Sequence, residues 1–341
     1  MRPSLGLLLF ADYSLGELVR LGSLCEEWGY RSLWYTDVRF GRECYVSLAA
    51  IAAATNTLLL GPGVSDPYSR HPAITAATIA TLDELSDGRA ILGLGVGGQG
   101  FRELGIERKL PVAALRETVT AVRALLREEL VNVDGKVVSL TNGKLTFKPV
   151  RSHIPTYFAT HGAQVSRLAG EVADGVMIAN TLLPKMLSFY LEKVREGMKR
   201  VGRDFECFDF GLRVEVCISS DYDAAFTVMR RRMANRLIGQ YPHWDYLSEL
   251  GVTLPEEFID IAAKKDTTLT NEAAAVMPRE LVDYTVLAGD ANYIAKQLAH
   301  VMRPEVSSIT IRPHAVPGER VEDVVKSFAK DVMPKVMQLT S

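Results

Sequence analysis

Short apolar runs alternate with helix-like segments along almost the whole chain, and this rhythm constrains the fold more than any other feature. The runs lie at about 4–10, 32–36, 57–63, 89–95, 155–160, 175–179, 208–219 and 307–313. They are nearly continuous in apolar residues, as parallel strands buried on both faces require. Eight such strands, each followed by helix, predict an α/β chain folded as a (β/α)8 barrel.

Two segments interrupt the rhythm. Residues 130–148 carry the turn signals Asp134-Gly135 and Asn142-Gly143 between β-type runs, which predicts an antiparallel hairpin. A long helical stretch over about 221–303 precedes the last strand. An open doubly wound sheet also alternates strand and helix, but eight strands and a first turn without a dinucleotide-type G-x-G-x-x-G favour the barrel. No linker divides the chain, so we expect one domain over 1–341.

Charge and cysteine content narrow the function classes. The 39 Lys and Arg are interspersed with 41 Asp and Glu, and the net charge is −2, so neither nucleic acid nor an anionic membrane is an expected partner. No apolar run approaches the ~20 residues that span a bilayer. The four cysteines have neither zinc-site nor disulfide-framework spacing. We therefore expect a cytoplasmic protein that binds a small molecule and no metal.

Polar and glycine-rich segments follow the predicted strands, where a barrel of this class places its chemistry. The stretch GPGVSDPYSRHP (61–72) follows strand 3, and GLGVGGQG (93–100) follows strand 4. In the first stretch, Gly61, Gly63 and Pro67 shape a bulge, and Pro72 starts the next helix. From these residues alone, a bulge that presses on a planar cofactor and a merely rigid loop both stay open.

The segment GPGVSDPYSRHPAITAATIATLDELSDGRAILGLGVG resembles the signature of the bacterial-luciferase-like superfamily. Its GPGV-x-x-PYSRHP form is similar to the branch of methylenetetrahydromethanopterin reductase, which uses coenzyme F420. The likeness continues through FATHGAQVSRLAGEVADGVMIAN and PRELVDYTVLAGDANYIAKQLAHV. It implies a luciferase-like barrel that binds F420. FMN is the alternative cofactor, since FMN enzymes share ATLDxLSxGRxxLGxGxG.

The resemblance also implies site residues. It places a non-proline cis peptide around Gly63-Val64-Ser65. The residues expected to line the ring and its side chain are Asp37, Gly63, Val64, Ser65, Val96 and Gly97. Those expected at the phosphate, beside a helix N-terminus, are Thr160, His161, Gly162, Gln164 and Val165. Those expected at the substrate or the coenzyme tail are Arg39, Arg70, Tyr241, Trp244 and Arg312. Relatives place the helical insertion over the barrel mouth and pair as homodimers through helices beside strands 2 and 3.

Three positions that carry proton chemistry in relatives differ here. They are Leu8 in place of a glutamate, Val38 in place of a histidine, and Gly98 in place of an acidic residue. Alcohol oxidation needs a base within hydrogen-bond reach, whereas reduction of an activated C=C, C=N or nitro group can take its proton from water or tyrosine.

The departures therefore favour a reductase that transfers hydride between the deazaflavin C5 and a small organic substrate. The candidate proton donors are Asp37, Tyr13 and Tyr68. Two alternatives stay open: an FMN-dependent monooxygenase or reductase, and a flavin- or deazaflavin-binding protein without turnover.

Overall fold

The computed structural model of the protein describes residues 2–98 and 100–340, without the side chains of 245, 249 and 250. The strands are β1 (Ser4–Leu9), β2 (Ser32–Tyr35), β3 (Leu59–Pro62), β4 (Leu92–Leu94), β5 (Val131–Asp134), β6 (Ser139–Gly143), β7 (Thr156–Thr160), β8 (Gly175–Ala179), β9 (Asp209–Ile218), β10 (Val286–Gly289) and β11 (Val306–His314). The helices are α1 (Leu15–Glu27), α2 (Cys44–Ala53), α3 (Pro72–Leu85), α4 (Pro111–Leu126), α5 (Ala163–Val172), α6 (Pro184–Val201), α7 (Tyr222–Gln240), α8 (Asp245–Leu250), α9 (Glu256–Ala263), α10 (Thr270–Val276), α11 (Arg279–Asp283), α12 (Ala291–Val301), α13 (Val321–Ser327) and α14 (Met333–Thr340).

The chain divides into two compact units. The N-terminal unit comprises Ser4–Met177 and Leu191–Gly211, and the C-terminal unit consists mainly of Ile178–Tyr190 and the chain from Leu212 onward. The prediction of a single domain stays a prediction. No helix in the described ranges is long and apolar enough to cross a membrane.

The N-terminal unit is built on parallel strands whose carboxyl ends lie level. In β1 and β2, Leu9 pairs with Tyr35, and Tyr35 pairs in turn with Pro62 of β3. On the other side, β4 pairs with β7, and β8 lies next to β7. Bridges between β3 and β4, including Ser65 with Leu94, connect the two groups. The turns that follow these strands therefore lie at one edge of the sheet.

A hydrophobic cluster fills this unit under the strand ends. The cluster consists of four buried residues: Leu8 of β1, Trp34 of β2, Met177 of β8, and Ile91, which directly precedes β4. The ring of Tyr157 meets Trp34 edge-on at 5.3 Å. Packing of this kind explains why the apolar strand segments in the sequence are nearly continuous.

The hairpin expected near 130–148 is confirmed, since β5 and β6 pair antiparallel. The spacing of Ser14 and Glu17 in the sequence is that of a capping box, and α1 begins with one: the Ser14 amide donates to Glu17 Oε2 at 2.7 Å, and the Glu17 amide donates to Ser14 Oγ. These features depend on neighbours in sequence, which is why local patterns found them.

In the C-terminal unit, β10 and β11 both lie next to β9, and α7 packs against α10 and β10. The helical stretch expected at 221–303 is wrong in one respect, because it contains β10. This strand pairs in parallel with β9, and Val286 lies opposite Glu215. A buried apolar run of four residues cannot be distinguished from a helix segment by periodicity, so no local pattern marks this strand.

The close approach of β3 and β4 leads to a stability prediction. A Cβ at Gly61 would collide with the Ile91 carbonyl oxygen, which is backbone and cannot rotate away. We expect Gly61→Ala to lower the free energy of unfolding by about 1–3 kcal/mol, as overpacking does. Urea unfolding measures the change.

The control is Gly16→Ala on α1, because no heavy atom lies within 4 Å of a Cβ added there. It should leave stability unchanged or raise it by ~0.5–1 kcal/mol through helix propensity. Equal stability of the two variants would contradict the packing account.

Candidate functional site

A backbone bulge follows β3 in the N-terminal unit. The peptide bond between Gly63 and Val64 is cis, which confirms the expected location. Beyond it, the Ser65 amide donates to the Gly93 carbonyl at 3.0 Å, and the Gly95 amide donates to the Ser65 carbonyl at 3.0 Å. Backbone bonds on both sides of Ser65 therefore fix the bulge against β4.

The side chain of Ser65 is the centre of a buried hydrogen-bond network. Its Oγ donates to Asp37 Oδ2 at 2.6 Å and lies 3.1 Å from the hydroxyl oxygen of Tyr45. Because a serine hydroxyl has one proton, Tyr45 is the donor in the second bond. The network gives each of its three members a partner inside the protein.

Arg70 completes the network from the other side of the aspartate. Its Nε and Nη2 reach the two oxygens of Asp37 at 3.1 and 3.3 Å, and Nη2 also donates to Glu43 at 2.8 Å. Burial opposes the charged form of Arg70, but the hydrogen bonds to Asp37, the charge of Asp37 and the hydrogen bond to Glu43 together outweigh burial and raise the pKa of Arg70. Both oxygens of Asp37 are thus engaged. This geometry suits a residue that positions the bulge.

A second aspartate is buried in the same loop. Asp66 Oδ1 accepts from the amides of Tyr68 and Ser69, and Oδ2 accepts from Arg39 Nη1 at 2.7 Å. The Arg39 guanidinium lies over the ring of Phe101, 4.1 Å from its centroid. Arg39 is therefore held in one orientation by a charge on one side and an aromatic face on the other.

The glycine-rich turn after β4 brings Val96 and Gly97 to the same sheet edge. Gly97 has φ +74°, and a Cβ there would collide with the ring of Phe101. Only glycine tolerates both the positive φ and the lack of space for a Cβ, so no side chain covers the backbone at position 97.

The turn after β7 leads into α5 without a side-chain cap. The Gly162 amide donates to Thr160 Oγ1 at 2.9 Å, and α5 starts at Ala163. No side chain among the described residues caps the first turn, to which Gln164 and Val165 also belong. Uncapped N–H groups at a helix N-terminus are donors for an anion.

Two of the predicted proton donors, Tyr13 and Tyr68, have raised pKa values. Burial, followed by the charges of Asp12 and Glu17, raises the pKa of Tyr13 to about 12. Burial also raises the pKa of Tyr68, whose hydroxyl donates to the Lys109 carbonyl at 3.0 Å. Both phenols are therefore protonated at neutral pH. Their catalytic role and that of Asp37 stay predictions.

The predicted aromatic residues of the helical insertion pack together. Tyr241 and Trp244 have ring centroids 5.2 Å apart, and Trp244 also contacts the buried ring of Phe258. The Trp244 Nε1 donates to the Leu237 carbonyl at 3.0 Å. These contacts show that the pair contributes to the packing of the C-terminal unit, and a contact with substrate stays a prediction.

A group of polar and charged side chains in the C-terminal unit surrounds one fully buried carboxylate, that of Glu215. We call it the Glu215 cluster. Its members are Asn180, Arg213, Glu215, Arg232, Arg236, Arg312 and His314. Thr181 is the next residue in the chain after Asn180. The sequence analysis named only Arg312. The available signals were Arg213 and Glu215 on one face of β9, and two arginines four residues apart on α7.

The carboxylate of Glu215 is fully hydrogen-bonded. Its Oε1 accepts from Arg213 Nη2 at 3.1 Å and from Asn180 Nδ2 at 3.4 Å. Its Oε2 accepts from Arg232 Nε at 2.8 Å and lies 2.9 Å from His314 Nε2. Burial alone would raise the pKa of Glu215, but the charge of Arg232 and the bond to His314 outweigh it and hold the pKa well below the ordinary value.

This depressed pKa predicts how stability depends on pH. A carboxyl group whose pKa is lower in the folded state stabilises the fold above the unfolded value, about 4.5, and loses this effect as pH falls through the folded value. Glu215→Gln removes the negative charge among the arginines, so we expect a loss of about 3–5 kcal/mol at pH 7. Denaturant unfolding at several pH values measures it.

The difference between wild type and Glu215→Gln should shrink as pH falls below the ordinary carboxyl pKa, because the carboxyl group of the unfolded chain is then protonated. Glu107→Gln is the control, because Glu107 forms an exposed pair with Lys109 and should lose at most ~1 kcal/mol. A Glu215 variant as stable as this control at pH 7 would contradict the assignment of Glu215 as a charged centre.

The chain is similar to known proteins over most of its length. The sequence model of the family described as luciferase-like monooxygenase matches residues 6–307. A 5,10-methylenetetrahydromethanopterin reductase of Archaeoglobus fulgidus is 29% identical over 335 residues, which cover 97% of this chain and 99% of the relative. The same-named protein of Methanolobus tindarius is 38% identical over 210 residues, 61% of this chain and 63% of that relative.

A solved structure supports the fold. The coenzyme F420 dependent tetrahydromethanopterin reductase from Methanopyrus kandleri superposes with a TM-score of 0.85 at 25% identity, covering 98% of this chain and 99% of that chain. The predicted fold class, a luciferase-like (β/α)8 barrel of the α/β class, is thereby confirmed.

Proposed function

Because the chain belongs to the luciferase-like monooxygenase family, we propose that it is a coenzyme F420-dependent oxidoreductase that transfers hydride to or from a small organic substrate. Two 5,10-methylenetetrahydromethanopterin reductases match over 97% of this chain, and an F420-dependent glucose-6-phosphate dehydrogenase matches over 95%. The superposed structure is of a coenzyme F420 dependent enzyme. The oxidoreductase class and the F420 cofactor expected from the sequence agree with these findings.

The bulge at Gly63–Ser65 is the observation that carries this proposal. Backbone hydrogen bonds of 3.0 Å from the amide and the carbonyl of Ser65 connect the bulge to β4 and the turn after it. The side chain of Ser65 donates a hydrogen bond to Asp37. A rigid backbone surface at the strand ends suits a flat ring, and the side-chain-free Gly97 allows close approach beside it. The uncapped start of α5 suits a phosphate. The described residues of this unit thus fit a coenzyme that has both parts.

Within this arrangement each group has a distinct task. Asp37, Tyr45 and Arg70 would position the bulge, while the N–H groups of Ala163, Gln164 and Val165 would hold the phosphate. Arg39, which Asp66 holds in place, would attract the acidic tail. When bound, F420 supplies a hydride at its C5 atom. The protein contributes orientation and a site from which the ring faces the substrate.

An apolar residue at position 8 favours reduction of the substrate over its oxidation. Leu8, which replaces an acidic residue of relatives, is packed in the hydrophobic cluster with Trp34, so no proton acceptor stands there. Reduction of substrate needs only a proton delivered after hydride transfer, and Tyr13, like any phenol, carries a proton at neutral pH. We therefore favour reduction, with Tyr13 as the candidate donor.

The homodimer and the cytoplasmic location stay predictions. Support for the homodimer comes from two apolar side chains on the helices beside β2 and β3. Val46 on α2 and Ile74 on α3 are 62% and 55% exposed. Sedimentation of the purified protein tests whether these helices pair two copies.

Titration calorimetry of the purified protein with F420 and with FMN tests the cofactor. We expect micromolar binding of F420 and at least ten times weaker binding of FMN. Selective FMN binding would replace the proposal with FMN-dependent chemistry. F420 binding without hydride transfer to activated C=C, C=N and nitro substrates would instead support a binding protein.

The phosphate site has its own test in Ala163→Pro. Proline is tolerated at the first helical position and removes one N–H, and Gly162 already has the extended backbone that a following proline requires. Loss of one hydrogen bond to a charged group should weaken F420 binding about tenfold or more. Fluorescence titration measures the dissociation constant.

Glu256→Pro is the matched control, since Glu256 is the exposed first residue of α9. It should bind F420 as the wild type does. If Ala163→Pro keeps full affinity while its melting temperature is unchanged, the phosphate does not contact this helix.

A further inference from the structure

The Glu215 cluster contains more hydrogen-bond donors than its one carboxylate can accept. A carboxylate offers about four acceptor positions. In Glu215 these are taken by Asn180, Arg213, Arg232 and His314. Any further guanidinium N–H that points into this group therefore needs another acceptor.

Arg236 is such a group. Its Nη1 is buried without a hydrogen-bond partner among the described residues and lies 4.0 Å from Glu215 Oε1, beyond hydrogen-bond range. The side chain is 11% exposed, so water satisfies little of it. Arg213 adds a second buried donor, because its Nε also lacks a partner among the described residues.

A hydroxyl group just after β8 is a third buried polar group without a hydrogen-bond partner among the described residues. Thr181 Oγ1 is buried and has no hydrogen-bond partner among the residues that the structure describes. Thr181 follows Asn180, whose amide group bonds both Glu215 and Arg213. Buried donors of this kind are normally paired in native proteins, and each one left unpaired needs an explanation such as a missing ion.

The location agrees with a ligand site. Asn180 and Thr181 follow β8, and His314 ends β11, so the cluster lies at carboxyl ends of parallel strands. In (β/α)8 barrels ligands bind at these ends. Burial, followed by the neighbouring charges of Arg236 and Arg232, lowers the pKa of Arg213 to about 10 against the opposing charge of Glu215.

We infer that the Glu215 cluster binds an oxyanion, the carboxylate or phosphate group of a small ligand, through Arg236, Arg213 and the Thr181 hydroxyl. A guanidinium presents paired N–H donors that match the oxygens of either group. Glu215 holds the arginines in place and the oxyanion fills their remaining donors. With the proposed function, the ligand is the substrate, which is then an acidic molecule. This last step rests on the proposed function, whereas the binding site does not.

Calorimetric titration of the full chain with inorganic phosphate and with succinate, at constant ionic strength, tests the inference. Wild type should bind at least one of them saturably. Tighter binding of phosphate identifies a phosphorylated ligand, and tighter binding of succinate identifies a carboxylate. Absence of binding by both would overturn the inference.

Two variants locate the site. Arg236→Met should weaken binding of the preferred anion at least tenfold, because it removes the charge and keeps much of the side-chain volume. Thr181→Val removes one hydroxyl that has no partner in the described structure. It should fold with an unchanged or higher melting temperature and bind the anion several times more weakly. If both variants bind like wild type, the anion site lies elsewhere and the inference fails.

Arg231→Met is the matched control, since Arg231 is exposed on the same helix. It should keep wild-type anion affinity. F420 titrations of the same proteins separate this inference from the proposed function. Arg236→Met should bind F420 as tightly as wild type. An equal loss of F420 affinity would assign the oxyanion to the coenzyme and overturn the assignment to substrate. Anion binding by a protein that does not bind F420 would leave the site intact and refute the proposed function.

Discussion

The close approach of the backbones of β3 and β4 is the constraint on which the N-terminal unit depends. At Gly61 and Gly93, a Cβ would collide with carbonyl oxygens of the facing strand, so neither position accepts a side chain. The approach lets Ser65 bond to β4 with both its amide and its carbonyl. Because β3 and β4 approach as closely as their backbone atoms allow, these bonds hold the bulge in place. The network of Asp37 and Arg70 is held with it.

Two buried carboxylates in the protein are satisfied in different ways. Asp66 accepts mostly from the backbone and side chain of its own loop and from one arginine, so its donors and acceptors are balanced locally. Glu215 is surrounded by arginines from β9, α7 and β11, and one nitrogen each of Arg213 and Arg236 has no partner among the described residues. The first arrangement stabilises a loop, whereas the second has spare donors for a ligand. Burial of charge alone does not distinguish the two, but hydrogen-bond capacity does.

The chemistry expected of the protein follows from what surrounds the strand ends. In the proposed function, cofactor recognition depends largely on backbone groups: the bulge, the turn at Gly97 and the first turn of α5. The sequence analysis expected proton-carrying side chains of relatives at the positions that Leu8, Val38 and Gly98 occupy here. Under the proposed function, backbone contacts to the cofactor leave the choice of substrate to side chains. The proposed candidates for that choice are the Glu215 cluster and the aromatic pair Tyr241 and Trp244.

The sequence by itself determined the alternation of eight strands with helices, the hairpin, the α1 capping box and the position of the bulge. Each of these depends on residues that are close in the chain, so a local pattern records it. Only the tertiary structure decided that Tyr45 lies behind Ser65 and that Arg236 and His314 reach Glu215. It also decided that Val286–Gly289 is a strand. These outcomes depend on which distant segments pack side by side, and a charged or short apolar segment has the same local pattern whether or not a partner meets it.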